Sequence, residues 1–398
     1  MPSLQLIYAP DTYELLNRRS ALGSYMATLA GLFHQAGYEV RINELPYDTL
    51  FGAETFAPAV GTGGRLAPLK RLLSLGLKQL VKDRRALRLA DERVAEIAAM
   101  PPTDVILEFY RFGSAIGAEL AQRWQRPLYI VYDGPVQEEY AFFHGIDPPL
   151  ARQASARERD SLHAAAGIVV YSRPMRDWVQ QTFDLPEADR FHLHQNVDFS
   201  RFEFDTHKPA LPPVNIGFIG SFLRWHRVDL LLRAFERLRA EGHAARLWLV
   251  GHGQEWEAIR QQVAQSPYQA DIELPGFKDQ AELFAIKQQL HVGVVPSAIW
   301  YQAPNKLFEY GAMRIACVAP PTPTIADLYR AGEEIVFFDN EDEDSLYGAL
   351  RSLLQDPARI HALGQAMYDK IRATYGPEKT LAFYEDFTKA QPTRSFDA

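Results

Sequence analysis

Short apolar runs alternate along this chain with longer stretches in which apolar residues recur every three or four positions, the signature of buried strands alternating with amphipathic helices. Leu4 to Ala9 reads as the first strand. A polar loop follows, then a long helix ending near Ala36, Gly37 as its stop, and a second strand from Tyr38 to Ile42. A second set predicts a strand over Val105 to Phe109, a helix over Ser114 to Trp124, and strands over Pro127 to Tyr132 and Gly167 to Tyr171. The alternation then restarts after the proline-rich segment Lys208 to Pro213, with a strand over Val214 to Ile219 and a helix from Asp229 to Glu241. Strands at Arg246 to Val250, Ile272 to Leu274 and His291 to Val295 follow, with helices from about Glu255 and Gln280. Strands regularly separated by helices predict an α/β fold with mainly parallel sheets covered on both faces.

Length and composition turn this pattern into two domains. At 398 residues the chain exceeds the size of one growing core, and 47% hydrophobic with 23% charged residues is the balance of a globular enzyme. Prolines and the polar stretch Asp198 to Lys208 interrupt the alternation, so the expected division is 1–205 and 206–376. A last amphipathic helix, 377–392, carries Leu381, Phe383, Tyr384 and Phe387 near one face and is a candidate to pack back on the first domain. A formal net charge of −8 argues against a general nucleic-acid binder, which needs clustered cations to neutralise phosphates. Cys317 is the only cysteine and lies in an apolar run, so it reads as a core thiol, and neither a disulfide nor a cysteine-based zinc site is open to the chain. The start, Met1 to Tyr8, is too short an apolar run for a signal peptide, and no stretch reaches the ~20 apolar residues of a membrane span. The expected location is the cytoplasm.

The segment Ala303 to Met313 holds the most suggestive chemistry. Pro304 and Asn305 read as a helix start with Asn305 as cap, so backbone N–H groups at the positive end of a helix are offered to a phosphate. Lys306 adds a mobile positive charge. Glu309 follows on nearly the same face, where a carboxylate can accept two hydrogen bonds from the vicinal hydroxyls of a ribose. A capped helix with one surface ion pair is the plainer reading of the same spacing. A second cluster follows the strand ending at Ile219: Gly220 permits a tight turn, while Arg224, His226 and Arg227 gather positive charge at the mouth of the next helix. Gly251 and Gly253, and then Gly276 with Phe277, end their strands on the same carboxyl edge, which is where open parallel sheets bind ligands.

In the first half, Gly23 and Ser24 open a helix and offer N–H groups to a phosphate or donor sugar, and Asp133 follows a strand end with a carboxylate for acceptor hydroxyls. The loop before Gly23 lacks the Gly-x-Gly-x-x-Gly dinucleotide pattern, and no phosphate loop of the Gly-x-x-x-x-Gly-Lys kind occurs, which disfavours a dehydrogenase or a nucleotide triphosphatase. Two strings are decoys. Asp342-Glu343-Asp344 spells a metal-binding Asp-x-Asp pattern but precedes a helix from Ser345 to Leu354, where acidic residues are stabilising. His192 and His194 alternate in a strand-like segment with no cysteine or histidine partner, as ordinary structural histidines do.

Gly220-Ser221-Phe222, then Trp225-His226-Arg227-Val228-Asp229, then Ala303 to Ala312 resemble a family pattern: Gly-Ser-Phe, Trp-His-Gly-Val-Asp, and Ser-Pro-Asn-Lys-Leu-Phe-Glu-Tyr-Met-Ala. On these motifs Gly217 to Leu354 resembles the C-terminal domain of glycosyltransferase family 4, the retaining class built as two Rossmann-like domains facing a cleft, the GT-B architecture. Weaker likenesses extend to Gly37 to Val40, to Gln195 to Asp198 with Phe202, and to Pro323 to Phe338. The resemblance implies a nucleotide-diphosphate sugar, on uridine or guanosine, bound mainly by the C-terminal half as donor substrate, with no cofactor and no metal. It implies that Glu309 binds the donor ribose and that Asn305, Lys306 and Leu307 belong to the donor site. Tyr301 stands where the family has the first Glu of its Glu-x7-Glu motif, Ser221 where many members have a phosphate-binding Arg, and His226 where many have Lys.

A diphosphate is stable as an anion, so its departure needs charge stabilisation and positioning more than a proton. Arg224 and Lys306, with Asp133 toward the acceptor, are the expected catalytic residues. Arg227 is a further cation for the diphosphate. The expected partners are the donor and a glycan or lipid-linked acceptor. Between Arg65 and Arg88 stand eight Lys or Arg residues against one acid, Asp83, with Leu66, Leu69, Leu73, Leu77 and Leu80 at helical spacing. Two readings stay open: the stripe packs on the first domain with its cations in water, or the helix lies on an anionic membrane and the protein sits peripherally on its inner face. A nucleotide-sugar-binding protein without transferase activity, and an epimerase on the same fold, are the rival functions.

Overall fold

The computed structural model describes residues 1–8, 21–51, 75–195 and 208–389. It divides into two compact α/β units, one of Met1–Tyr171, Met175–Asn196 and Thr380–Ala398, the other of Ser172–Pro174 and Val197–Lys379. The sheet of the first unit is built from β1 (Ser3–Tyr8), β2 (Glu39–Ile42), β3 (Leu45–Pro46), β4 (Val105–Phe109), β5 (Leu128–Val131), β6 (Gly167–Val170) and β7 (Phe191–Leu193), in the order 3-2-1-4-5-6-7. All pairs are parallel except β2 with the short edge strand β3. The second unit holds β8 (Val214–Ile219), β9 (Ala245–Val250), β10 (Ile272–Gly276), β11 (Val292–Val294), β12 (Ala316–Ala319) and β13 (Ile335–Phe337), all parallel, in the order 10-9-8-11-12-13. Each is a doubly wound, Rossmann-like sheet.

The strands read as continuous apolar runs because helices cover both faces: every residue of β8 is buried, and so is every residue of β4, β5 and β6. In the second unit Phe218, Phe222, Phe235 and Leu247 share one core cluster, each side chain contributing about 1.5–3 kcal/mol. Asn215 is the polar exception within β8; its Nδ2 donates to the Gln289 carbonyl at 2.8 Å, and its backbone N–H donates to His291 Nδ1 at 2.9 Å. The helix Pro377–Lys389 brings Tyr384 into the core cluster of Leu4, Phe33 and Val131 in the first unit. His194 lies there as well, its ring stacked on Phe383 at 4.2 Å and its Nε2 3.1 Å from Thr380 Oγ1.

Helix ends follow local chemistry. The helix Ala21–Gln35 stops where the Gly37 N–H bonds to the His34 carbonyl and the Tyr38 N–H to that of Phe33, a left-handed turn at φ +86° that glycine adopts without strain. The sequence gives no warning of the helix Ala151–Ala164, because the face it buries carries Glu158 and Ser161 beside Ala154 and Leu162 instead of an apolar stripe. Tyr132 donates from its hydroxyl to Glu158 at 2.6 Å, which supplies that face with its partner.

The basic segment departs from its expected packing. Leu66, Leu69 and Leu73 lie outside the described residues. In the helix Leu75–Ala98 the protein-facing stripe is Gln79, Asp83, Leu87, Ala90, Val94 and Ile97, whereas Leu77 and Val81 are 44% and 58% exposed. Asp83 sets that rotation by accepting from the Tyr140 hydroxyl at 2.8 Å. No helix among the described residues is long and apolar enough to cross a membrane.

Candidate functional site

In the second unit the strand order reverses between β8 and β11, so the loops leaving their carboxyl ends diverge and open a crevice. On one side of it the chain segments that follow β8 and β9 and the end of β10 are bound backbone to backbone. The Gly220 N–H donates to the Val250 carbonyl at 3.0 Å, the Phe222 N–H to His252 at 3.0 Å, the Glu255 N–H to Phe222 at 2.8 Å, and the Gly251 N–H to Gly276 at 3.0 Å. Side chains would prevent this. A Cβ at Gly251 would lie 1.9 Å from the Gly220 carbonyl oxygen, and one at Gly253 would lie 2.7 Å from the Phe222 carbonyl oxygen. Gly251 also stands at φ +139°, and Gly276 at φ +77°. Phe277, just beyond, is 61% exposed at the surface.

The helix Asn305–Ala312 enters the crevice from the other side of the switch. Leu307, Phe308 and Tyr310 bury one face, and the Tyr310 hydroxyl accepts the Ile219 N–H at 3.1 Å, tying the helix to the end of β8. Gly293 makes room for that ring, since a Cβ there would come within 2.3 Å of it. Asn305 does not cap the helix. Pro304 holds the cap position in an extended conformation, and Asn305 is already helical, so its side chain cannot stand in the capping place.

Lys306 projects toward β8. Its ammonium sits 4.3 Å over the Phe218 ring and 3.0 Å from where a Gly220 Cβ would be, so Gly220 is what leaves it space. Burial pulls this ammonium down to about 8, with Glu309 opposing. Glu309 is held from another helix, by Lys287 Nζ at 2.6 Å, and the Lys287 side chain is only 5% exposed. No sequence signal marked Lys287: it falls in the last turn of the helix Gln280–Gln289, where a cation is ordinary.

The cations of the second cluster divide. Arg224, in the single turn Arg224–His226, is exposed, and its side chain makes no hydrogen bond or ion pair among the described residues. His226 is kept neutral, pulled down to about 3 by burial and by the Lys306 charge. Its Nδ1–H donates to the Ser221 carbonyl at 2.5 Å, which leaves Nε2 as an acceptor. Arg227 is committed elsewhere: its Nε lies 3.1 Å from Asp229 and its Nη1 3.1 Å from Glu341, in a network that continues through Arg233 and Glu343. Asp229 stands two residues away in the same motif, whereas Glu341 comes from a segment 114 residues on, and nothing beside the motif foretold it.

Tyr301 is 4% exposed and packs edge-on against Trp300 at 5.6 Å. The acidic string is structural in place: Asp342 caps the helix Glu343–Leu354 by accepting the Ser345 N–H, while Glu343 and Asp344 pair with Arg237. Cys317 is buried, and burial raises its thiol well above the ordinary range.

In the first unit the strand order reverses between β1 and β4, and a second polar cluster sits there. Gly23 and Ser24 lie in the first turn of the helix Ala21–Gln35, and the loop at 9–20 before it is outside the described residues. Asp133, beyond the end of β5, receives Nη1 of Arg111 at 2.9 and 3.0 Å on its two oxygens. Arg111 was missed from sequence, although its place two residues beyond β4 put it on the carboxyl edge. Burial opposes its charge, but Asp133 and Tyr8 more than offset that and hold the guanidinium charged.

Residues 213–356 match the family model described as glycosyl transferases group 1. A glycogen synthase of Mycobacterium tuberculosis is 22% identical over 233 residues, 57% of this chain and 54% of that protein, so the match spans about half the length of this curated relative. The structure of Anabaena Alr3699/HepE in complex with UDP superposes with a TM-score of 0.69 at 12% identity, over 98% of this chain and 100% of that one. A sucrose-phosphate synthase from Thermosynechococcus elongatus gives 0.69 at 14% identity, over 98% of each chain. At these identities the likeness establishes the fold, two Rossmann-like domains of the GT-B class.

Proposed function

We propose that this chain is a glycosyltransferase that moves a sugar from a nucleotide-diphosphate sugar to a glycan or lipid-linked acceptor, with retention at the anomeric carbon and without a metal. The observation that carries the reading is the placement of Lys306: a half-buried ammonium at the switch point of the second sheet, beside the glycine turn at Gly220 and at the start of a helix. Such a place favours an anion through the helix N-terminus and the fixed charge together. The group 1 family match over 213–356 and the UDP held by a structure of the same fold support it.

In this reading Lys306 and Arg224, whose side chain has no partner among the described residues, stabilise the charge that develops on the leaving diphosphate. His226 Nε2 accepts from a donor hydroxyl. Glu309 offers the ribose hydroxyls the oxygen that Lys287 does not hold. Arg227 has no phosphate role, because Asp229 and Glu341 already bind it. Calorimetry with UDP and GDP on the wild type and Lys306→Ala tests the donor site, and failure of both nucleotides to bind the wild type would falsify it. The anomeric configuration of the product, read by NMR, tests retention.

A nucleotide-sugar-binding protein without transfer activity is the second reading, favoured by Tyr301, which fills with a buried aromatic ring a position where the resembled family has a carboxylate. Product formation from any acceptor excludes it. The lipid-linked acceptor is favoured by the exposed pair Leu77 and Val81 among the exposed cations Lys82, Arg84, Arg85 and Arg88. Co-sedimentation with liposomes that ignores anionic lipid and salt would remove the membrane from the proposal.

A further inference from the structure

The geometry points to a proton switch built into the first unit: the Glu108 carboxyl, held neutral, closes the start of the helix Ile116–Trp124, and on losing its proton it loosens the loop 110–115 that leads into that helix. The switch does not depend on the transferase reading.

Its seat is formed by the sheet and the helix together. Glu108 is fully buried in β4, in register with Ile7 of β1 and Ile130 of β5, so the strands on both sides set only apolar residues beside it. The helix Ile116–Trp124 has Ala115 at its cap position and no capping side chain of its own. Glu108 supplies the cap from the sheet: Oε2 accepts the Gly117 N–H at 3.2 Å, and Oε1 meets the Ser114 hydroxyl. Gly117 leaves the room for this, since a Cβ there would collide with Glu108 Oε2. Ser114 serves both protonation states. Its hydroxyl donates to a carboxylate and, turned round, accepts from a carboxylic O–H, so hydrogen bonding is kept in either form.

Charge is what separates the two forms. Around Glu108 stand Tyr110 and Tyr132 beyond the ends of β4 and β5, Arg157 and Glu158 from the helix Ala151–Ala164, and Asp91 from the helix Leu75–Ala98. Arg157 is the cation of this group and is committed, its Nη1 donating to the Gly113 carbonyl at 3.2 Å and its Nη2 lying 2.8 Å from Asp91. Glu158, buried as well, accepts from the Tyr132 hydroxyl at 2.6 Å and from Gln137 Nε2 at 3.2 Å, which are neutral donors. Ionised Glu108 is therefore a buried charge with a second acid nearby and no counter-ion bound to it among the described residues, a state that folding disfavours. Burial accordingly raises Glu108 from the ordinary 4.5 to about 7, with Ser114 and Gly117 opposing, and it raises Glu158 too.

The folded chain thus keeps a proton that an opened chain has already released. Stability complete below pH 4.5 is lost as pH rises through about 7, and the opened population grows about ten-fold per pH unit in that window. The loop 110–115 and the first helical turn shield the carboxyl, so opening them hydrates the charge without unfolding the sheet. The Tyr110 hydroxyl, 1% exposed and without a hydrogen-bond partner, offers the entering water a contact. Arg111 stands in the same loop, so the switch reaches the β1/β4 crevice.

Native-state hydrogen exchange on the full chain, read by mass spectrometry on peptides from Val105 to Trp124 and corrected for the intrinsic pH dependence of exchange, tests the switch. Opening in the wild type is expected to rise about 100-fold from about pH 5 to about pH 7 relative to Glu108→Gln, which keeps the shape and cannot ionise. Comparing the two proteins at each pH cancels the titration of His194, and peptides from β8 and β9 are expected to match in both. Carbon-13 NMR of the side-chain carboxyls gives an independent readout: one glutamate signal titrates near pH 7 and is missing from Glu108→Gln. Ser114→Ala, which removes a donor to the carboxylate, is expected to move that midpoint upward. Equal pH dependence of opening in wild type and Glu108→Gln, or no carboxyl titrating above about pH 6, overturns the proposal. If Glu108→Gln does not fold, the wild-type titration decides together with Ser114→Ala: a neutral midpoint that this variant displaces upholds Glu108, and one that it leaves in place removes it.

Discussion

The two sheets reverse their strand order in the same way, yet they furnish the reversal with opposite electrostatics. At the β8/β11 switch the charge is left open: among the described residues Lys306 and Arg224 have no carboxylate bound to their side chains, and Glu309, the acid nearest Lys306 on its helix, is held by Lys287. At the β1/β4 switch the charge is closed, Arg111 against Asp133. One backbone arrangement therefore offers an anion site in one unit and a neutral donor and acceptor pair in the other. The scaffolding differs too. The second unit packs backbone on backbone through Gly220, Gly251 and Gly253, whereas the first fixes its strand end with a side chain, Asn43. What a switch point binds is decided by whether its cations find internal partners, and the topology does not decide that.

The comparison breaks most readily at the glycines. Gly251→Val is expected to cost about 3 kcal/mol or more and to abolish nucleotide binding, because the new Cβ collides with the Gly220 carbonyl at a backbone angle that valine resists. Thermal melting with UDP titration reads both effects, and a stable variant that still binds would contradict the close loop packing. Acid probes the first unit on a similar scale. Burial holds His194 down to about 4 against an ordinary 6.5, so the unfolded chain takes up its proton first as pH falls. Stability present above pH 6.5 is then lost progressively toward pH 4, on the order of 3 kcal/mol from this group. His194→Phe is expected to remove that part of the pH dependence in denaturant titrations.

Glu309→Ala is expected to weaken UDP binding by about 1.5–3 kcal/mol, the range for a hydrogen bond to a charged group. It also strands the Lys287 ammonium, whose side chain is 5% exposed, so folding stability falls as well. The double variant Lys287→Met, Glu309→Gln separates these, restoring the melting temperature while the affinity stays low. Lys306 gives the open site a pH signature. Its charge is lost as pH rises through about 8, so UDP affinity is expected to fall by up to about ten-fold per pH unit above that, and Lys306→Arg flattens the profile. A wild-type profile flat from pH 7 to pH 9 would take Lys306 out of the phosphate site. The smallest effect separates neighbouring arginines: Arg227→Ala is expected to change UDP affinity by less than about 0.5 kcal/mol, since its partners are partly exposed acids, whereas Arg224→Ala weakens it about ten-fold. Equal losses from the two would erase the distinction drawn between them.

Where apolar periodicity was strong the elements were legible: β8 runs over Val214–Ile219 and β4 over Val105–Phe109, as their patterns predict. The helix Ala151–Ala164 was not, because its buried face is polar and its partner, Tyr132, is remote in sequence. The short strand β3 has only Leu45 and Pro46 to announce it. Among the site residues, Gly251 and Gly253 were individually weak signals that the geometry explains together, each needed where another loop's backbone passes.

By itself the sequence determined the alternation of strands and helices, the parallel sheets, and the carboxyl edge on which Gly220, Arg224, Lys306, Glu309 and Asp133 stand, because period, capping and turn chemistry act between near neighbours. Only the tertiary structure decided which charges remain open. Glu309 meets Lys287 22 residues away, Asp133 meets Arg111 from 22 residues off, and Arg227 meets Glu341 across 114, and no local pattern encodes such distances. A charge is spent or kept according to what folding brings within about 3 Å of it, so the motif supplied the residues and the packing assigned them their work.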